Sequence, residues 1–277
     1  MLFRARQFEI IFPRPVLVMG IVNVTPDSFS DGGKFFNSTK AVAHGLKLID
    51  EGAEILDIGG ESTRPNAKAV SEKEELRRVI PVIEKLAAKI KSQKILISID
   101  TMKPAVARAA LAAGASIVND VAAHRDDSEM WKIVAEFCAG YVVMHAPRGL
   151  HKLKAQKNIV REVGKFFQER REKIMVAGIA PEQIIFDPGI GFGKTLAQNL
   201  QLLAGWRSFA RLRRPLLLGV SRKSFIEKWS GAKVNERLPA SLACAILAVE
   251  SGVQIVRAHD VAETVQAVRM AEAVLAK

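Results

Sequence analysis

A chain of 277 residues with 49% hydrophobic content has ample apolar mass for a sizeable core, which excludes a disordered polymer and matches the size of an eight-fold α/β barrel. Its formal charge is +12, yet most Lys and Arg fall in helix-patterned stretches laced with acids, such as "SEKEELRRVIPVIEKLAAKIK" and "VREVGKFFQERREKI". That interleaving reads as solvated helix surface and, with aromatics at only 6%, argues against a nucleic-acid-binding protein.

The chain begins "MLFRARQFEIIFPRP", whose short apolar run is ended by Pro13 and followed by no small-residue cleavage site, so a secretory signal is not expected. The segment "FRARQFEIIF" alternates in polarity and predicts a β-hairpin or arm closing the bottom of a barrel. Eight short apolar runs then read as strands, at 17–24, 54–60, 95–100, 116–121, 141–146, 184–189, 215–221 and 254–261. Amphipathic segments around 39–51, 71–91, 103–113, 128–138, 158–177, 196–210, 234–251 and 262–276 alternate with them. The strands are apolar on both faces, as parallel strands covered by helices are. The expected fold is a (β/α)8 TIM barrel with a short N-terminal β-arm, one domain over residues 1–277; an open doubly wound sheet is the alternative.

The longest apolar run, "LPASLACAILAV", is 12 residues and contains Ser241, too short to span a bilayer. Cys138 and Cys244 lie in apolar helical pattern and read as small buried core residues in a reducing compartment. The expectation is a soluble cytoplasmic protein without a membrane or nucleic-acid partner.

The strand ends carry the chemistry. In order they offer Asn23; Asp57 with Glu61; Asp100 and Thr101; Asn119 and Asp120; His145; Asp187; Ser221, Arg222 and Lys223; and Arg257, His259 and Asp260. Polar groups inside strand runs either face a shared barrel mouth or are buried unpaired at a cost of ~1–3 kcal/mol each. A convergent pocket is the better reading. Asp100, Asn119 and Asp187 suit a flat heterocycle with several N–H donors and ring acceptors, whereas Lys223, Arg257 and His259 suit an anion such as diphosphate. Asn23 is placed to lend an oxygen to Mg2+.

Two nucleotide-loop patterns fail. In "PGIGFGKT" the phosphate-loop spacing requires Gly at 188, where Pro188 stands, and Lys194 occupies the third-glycine position of G-x-G-x-x-G. Lys194 and Thr195 are instead expected to begin a helix, with Pro188 and the glycines letting backbone pass close to a bound ring. No H-E-x-x-H pattern or cysteine-paired ligand set points to zinc.

"GIVNVTPDSFSDGG", "DIGGESTRP", "ISIDT", "VND", "MH", "IIFDPGIGFGKT", "GVSRKSFI" and "IVRAHDV" together resemble dihydropteroate synthase, in the same order, from about residue 17 to the C-terminus. The resemblance implies a barrel transferase of the folate pathway, usually a homodimer. Such an enzyme joins 6-hydroxymethyl-7,8-dihydropterin diphosphate to para-aminobenzoate, with Mg2+ assisting. It implies that Asp100, Asn119 and Asp187 bind the pterin ring and that Lys223 contacts the pterin and closes the site. Arg257 and His259 would hold diphosphate, and Asn23 the metal. Phe29 and Asp31 resemble residues that order around the aminobenzoate and the departing diphosphate; Thr63 resembles a substrate-binding position and Ser224 one near the aminobenzoate carboxylate. Asp31, Arg64, Asp100 and Lys223 make up the expected catalytic set. The loops after the first and second strands read as a pair of lids, with Gly32-Gly33 and Gly59-Gly60 expected to give hinge freedom. The expected mechanism is SN1-like, with neither a covalent enzyme intermediate nor a triad.

After "MH" the chain departs from the usual Met-Gln-Gly with "APRGLHKLKAQ", which puts the fifth-loop contact in question through Arg148. "RLPASLA" replaces a usual Gly before the Ser241 helix. The competing enzyme-class reading is a pterin-binding paralogue such as the folate-binding barrel of corrinoid methyltransferases. It would share "DIGGES" and "SIDT" but should lack "TPDSFSDGG" and "SRKSF", both present here.

Overall fold

The computed structural model describes residues 1–25, 38–62, 69–90, 94–123, 125–146 and 158–277. An antiparallel hairpin, β1 (Leu2–Ala5) and β2 (Phe8–Ile11), precedes eight parallel strands. These are β3 (Leu17–Asn23), β4 (Ile55–Gly59), β5 (Leu96–Asp100), β6 (Ile117–Asp120), β7 (Gly140–Met144), β8 (Ile184–Asp187), β9 (Leu217–Gly219) and β10 (Ile255–Ala258). Their order is β8-β7-β6-β5-β4-β3-β10-β9, and a parallel bridge between Phe186 and Leu216 joins the two ends into a barrel.

The helices are α1 (Ser38–Asp50), α2 (Glu72–Lys89), α3 (Pro104–Ala112), α4 (Ser128–Glu136), α5 (Ile159–Val176), α6 (Leu196–Ala204), α7 (Ser224–Ser230), α8 (Leu238–Glu250) and α9 (Val261–Leu275). Seven-residue α7 was not anticipated. The predicted helix over 196–210 is divided: Gly205 ends α6, and a 3-10 turn follows over Trp206–Leu212. Starts are set locally where the sequence carries a cap. Ser71, Asp127, Asn158 and Thr195 each accept a backbone N–H of the first turn, and Thr195 with Gln198 completes a capping box. Thr195 thus begins a helix as expected.

Side-chain alternation splits the core in two. Leu17, Met19, Ile55, Leu96, Ile117, Val142, Ile185, Leu217 and Ile255 face inward, and Phe3, Ala5, Ile10 and Phe12 of the hairpin plug the bottom of the same cluster. Val18, Val22, Leu56, Ile58, Ile99, Val118, Val143, Phe186, Leu218 and Val256 face outward into the helix layer. The inner apolar stack fills the lower barrel, so inward positions nearer the strands' C-terminal ends are left for polar groups.

Candidate active site

Register decides which strand-end groups meet. Asp57, Asp100, Asn119, Asp187 and Arg257 share the inward parity of Ile55, Leu96, Ile117, Ile185 and Ile255, two or four residues further along. They join across the mouth. Asn119 Nδ2 donates to Asp57 Oδ2 at 2.9 Å, and Arg257 donates from Nε to the same oxygen at 2.6 Å. Arg257 Nη2 donates to Asp100 Oδ2 at 2.8 Å. Asp57 is fully buried, and its Oδ1 has no partner among the described residues. Asp57 was visible at a strand end but received no role in the sequence reading; its inward parity with Ile55 is the signal that could have found it.

The other half of the mouth comes from β8 and the turns after β8 and β9. Asp187 Oδ1 accepts the Gly189 N–H at 2.7 Å. Lys223 Nζ donates to the Ile190 carbonyl at 2.7 Å and lies 4.0 Å from the centre of the Phe192 ring. Arg222, at φ 58, takes the left-handed conformation as the chain turns toward Lys223. That turn is secured by Ser241 Oγ accepting Arg222 N–H, by Arg237 donating to Arg222 C=O, and by an Arg222–Asp260 ion pair. Ser241, on the helix where the chain departs from the family pattern, therefore supports this turn as well as packing.

Burial dominates the electrostatics. It pushes the Asp100 carboxyl up to about 7, against the pull of Arg257 and with help from Asp57 and Glu75. Asp187 is raised for the same reason, opposed by Lys223 and the Gly189 N–H. Burial lowers the Lys223 ammonium to about 8, opposed by Asp187. Carboxyls pushed upward beside an ammonium pushed downward are typical of a built functional cleft.

The remaining strand-end groups divide. His259 Nδ1 lies 3.0 Å from Ser221 Oγ, two residues beyond Arg257. Half-buried Asn23 ends β3 opposite Gly59, and its side chain has no partner among the described residues. Ser224 is exposed at the start of α7. Thr101 Oγ1 accepts the Lys103 N–H at 3.2 Å, and Asp100 does not cap α3. Glu61 is tied by Lys103, which also pairs with buried Glu75. Asp120 has the opposite parity to Asn119 and leaves the mouth: it accepts the Tyr141 hydroxyl at 2.8 Å and the Ala122 N–H at 2.8 Å. His145 sets its ring edge-on to Phe166 at 5.0 Å, toward the helix layer.

Three expectations need correction. Cys138 is exposed and Cys244 half-buried, because Cys138 ends α4 in a left-handed turn (φ 49) rather than on its apolar stripe. Gly60 is a close-packing position, not a source of hinge freedom: a Cβ there would lie 2.8 Å from Val79 Cγ1 and 2.9 Å from Glu75 Cγ. The glycine after Pro188 makes room for protein: Gly189 (φ 67) lies so close to β7 that a Cβ would sit 2.1 Å from the His145 carbonyl oxygen. Phe29, Asp31, Gly32, Gly33, Thr63, Arg64 and Arg148, and with them the middle of each of the two expected lids, lie outside the described residues.

Among the described residues, no cluster of three or more His, Cys, Asp or Glu could hold a metal, and no helix is long and apolar enough to cross a membrane. The amide oxygen of half-buried Asn23 is the kind of donor that would suit a Mg2+ ion held mainly by other oxygen ligands.

Known proteins share this sequence family and this fold. The family model described as "Pterin binding enzyme" matches residues 19–259. The chain is 44% identical over 261 residues to the dihydropteroate synthase of Escherichia coli K12, covering 93% of this chain and 91% of that protein. A Xanthomonas albilineans dihydropteroate synthase structure with 4-aminobenzoic acid superposes with a TM-score of 0.91 at 45% identity, covering 100% of this chain and 98% of that one. The same organism's enzyme in complex with 7,8-dihydropteroate gives 0.89 at 43% identity, covering 100% of both chains.

Proposed function

The chain belongs to the dihydropteroate synthase family, and we infer that it joins 6-hydroxymethyl-7,8-dihydropterin diphosphate to para-aminobenzoate, releasing diphosphate. The observation that carries this reading is the meeting, at one barrel rim, of buried Asn119 and Asp187 and largely buried Asp100 with Lys223 and Arg257.

Ring binding falls to the carboxylates and the amide. Asp100 and Asp187 accept N–H groups of the pterin edge, Asn119 offers a donor and an acceptor, and Asp57 supplies the floor to which Asn119 and Arg257 are anchored. Lys223, held over Phe192, closes one side of the ring slot. Arg257 and His259, both toward the mouth from β10, face the diphosphate; Arg257 keeps Nη1 clear of partners among the described residues. Magnesium at Asn23, when bound, would neutralise further diphosphate charge.

The methylene C–O bond breaks and diphosphate leaves with its electron pair. The cation left at the methylene is delocalised into the ring, so cleavage runs ahead of attack. The arylamine nitrogen, neutral at pH 7, then forms the C–N bond and loses a proton to solvent. The chain supplies positioning, charge stabilisation and exclusion of water. Roles for Phe29 and Asp31 around the aminobenzoate and departing diphosphate, for Thr63 and Arg64 in the second loop, and for Ser224 near the aminobenzoate carboxylate rest on motif resemblance.

The test is diphosphate release with each substrate omitted in turn. Release that requires both para-aminobenzoate and the pterin diphosphate supports the synthase; release without the aminobenzoate, or none with both, refutes it. We further propose a cytoplasmic homodimer. Exposed Leu247 on α8 and Met270 and Val274 on α9 support an apolar face for a second copy, and a monomer mass in sedimentation at micromolar concentration would count against it.

A further inference from the structure

Lys194 is the lysine of "GFGKT" that fails the phosphate-loop spacing. It is 7% exposed, and its ammonium donates to three backbone carbonyls: His145 at 3.0 Å, Gly189 at 2.8 Å and Phe192 at 3.3 Å. An ammonium has three N–H bonds, so all its donors are used and none remains for a phosphate. We propose that Lys194 is a positioning residue for the ring pocket, fastening the turn after Asp187 to the end of β7. This rests on the synthase reading above.

The turn it fastens touches both sides of the ring slot. At one end, the Gly189 N–H holds Asp187 Oδ1 at 2.7 Å. In the middle, the Ile190 carbonyl receives Lys223 Nζ and the Phe192 ring lies 4.0 Å beneath that ammonium. The Gly191 N–H is held by Asn199 Oδ1 at 2.7 Å, which secures the turn to α6 but not to β7. Lys194 and the close approach of Gly189 to the His145 carbonyl tie this turn to the end of β7, beyond the ladder bond from His145 N–H to the Asp187 carbonyl at 2.9 Å. The fifth-strand end, where the following loop departs from the family pattern, thereby sets the height of the turn through its backbone. Burial lowers the Lys194 ammonium to about 7; Asp187 and Glu162 support its charge and Lys223 opposes it. Asp187 thus attracts both lysines, and loss of the Lys194 proton would leave two N–H donors for three carbonyls and remove their charge assistance.

Lys194→Met and Lys194→Gln test this with two readouts that a general loosening of the fold moves together: the Kd for the pterin diphosphate by calorimetry, and the KM for para-aminobenzoate at saturating pterin diphosphate. Removing a charged donor from three buried acceptors should weaken pterin diphosphate binding about tenfold to a hundredfold in Lys194→Met, and less in Lys194→Gln, with aminobenzoate KM within about twofold. Unchanged pterin binding in either folded variant overturns the proposal. So do parallel losses in both readouts, or loss of the fold in both variants, since Lys194 would then serve overall stability. Failure of the unsubstituted protein to bind the pterin diphosphate would sink the synthase reading instead.

Discussion

Asp100 is held near neutrality by burial although Arg257 donates to it at 2.8 Å. The folded chain keeps this proton more tightly than the unfolded chain does. Its contribution to stability is therefore present at low pH and declines as pH rises from about 4 through about 7. Function runs the opposite way. A carboxylate that accepts ring N–H groups must be ionised, so affinity for a dihydropterin lacking the diphosphate should rise with pH and level off above about 7. Below that, the Asp100 step contributes up to about tenfold per pH unit. Calorimetry of the unsubstituted chain against Asp100→Asn checks this: the variant should bind weakly and lose the Asp100 step. An identical pH profile in both would remove Asp100 from the ring-binding set.

At the scale of elements, the hairpin is what makes a deep, polar mouth tolerable. Its Phe3 is fully buried under the barrel against Gly140, where an added Cβ would lie 2.7 Å from the Phe3 ring. Arg6 fastens the hairpin turn to the end of α3 through the Leu111 and Ala115 carbonyls, at 2.8 Å and 2.9 Å. Phe3→Ala should cost ~3–5 kcal/mol in urea unfolding while leaving the pterin Kd unchanged, because the site lies at the opposite rim. A stability loss under about 1 kcal/mol would mean that the plug carries little of the core. The hairpin was legible because its alternation is local. α7 was not: seven residues following "SRK" span too few turns to display a helical period. Asn119 and Asp120 could not be told apart either, since both faces of β6 are buried and only pairing register assigns them to opposite sides.

For the whole molecule, eight alternating strand and helix patterns were enough to predict a closed barrel, and closure brings strand ends far apart in sequence to one rim. That is why the polar residues that meet at the rim, here proposed to bind the ring, could be picked out from their place at strand ends. The groups that support them could not. Lys194 depends on carbonyls from two loops, and Lys103 bridges Glu61 and Glu75 across two units, contacts with no local period. The charge of +12 is spread among acid-laced helices, with pairs such as Arg77–Glu74, Arg108–Glu136 and Lys173–Asp126. DNA should therefore bind no tighter than ~10⁻⁶ M at physiological salt and without sequence preference; a nanomolar, sequence-dependent Kd would contradict that assignment.

The most direct measurement is a crystal structure of this chain with the pterin diphosphate bound. The ring edge should lie against Asp100, Asn119 and Asp187, with Lys223 over one face and the diphosphate toward Arg257, His259 and Asn23. A ring bound anywhere other than this rim, or turned so that its N–H edge avoids all three residues, would contradict the account.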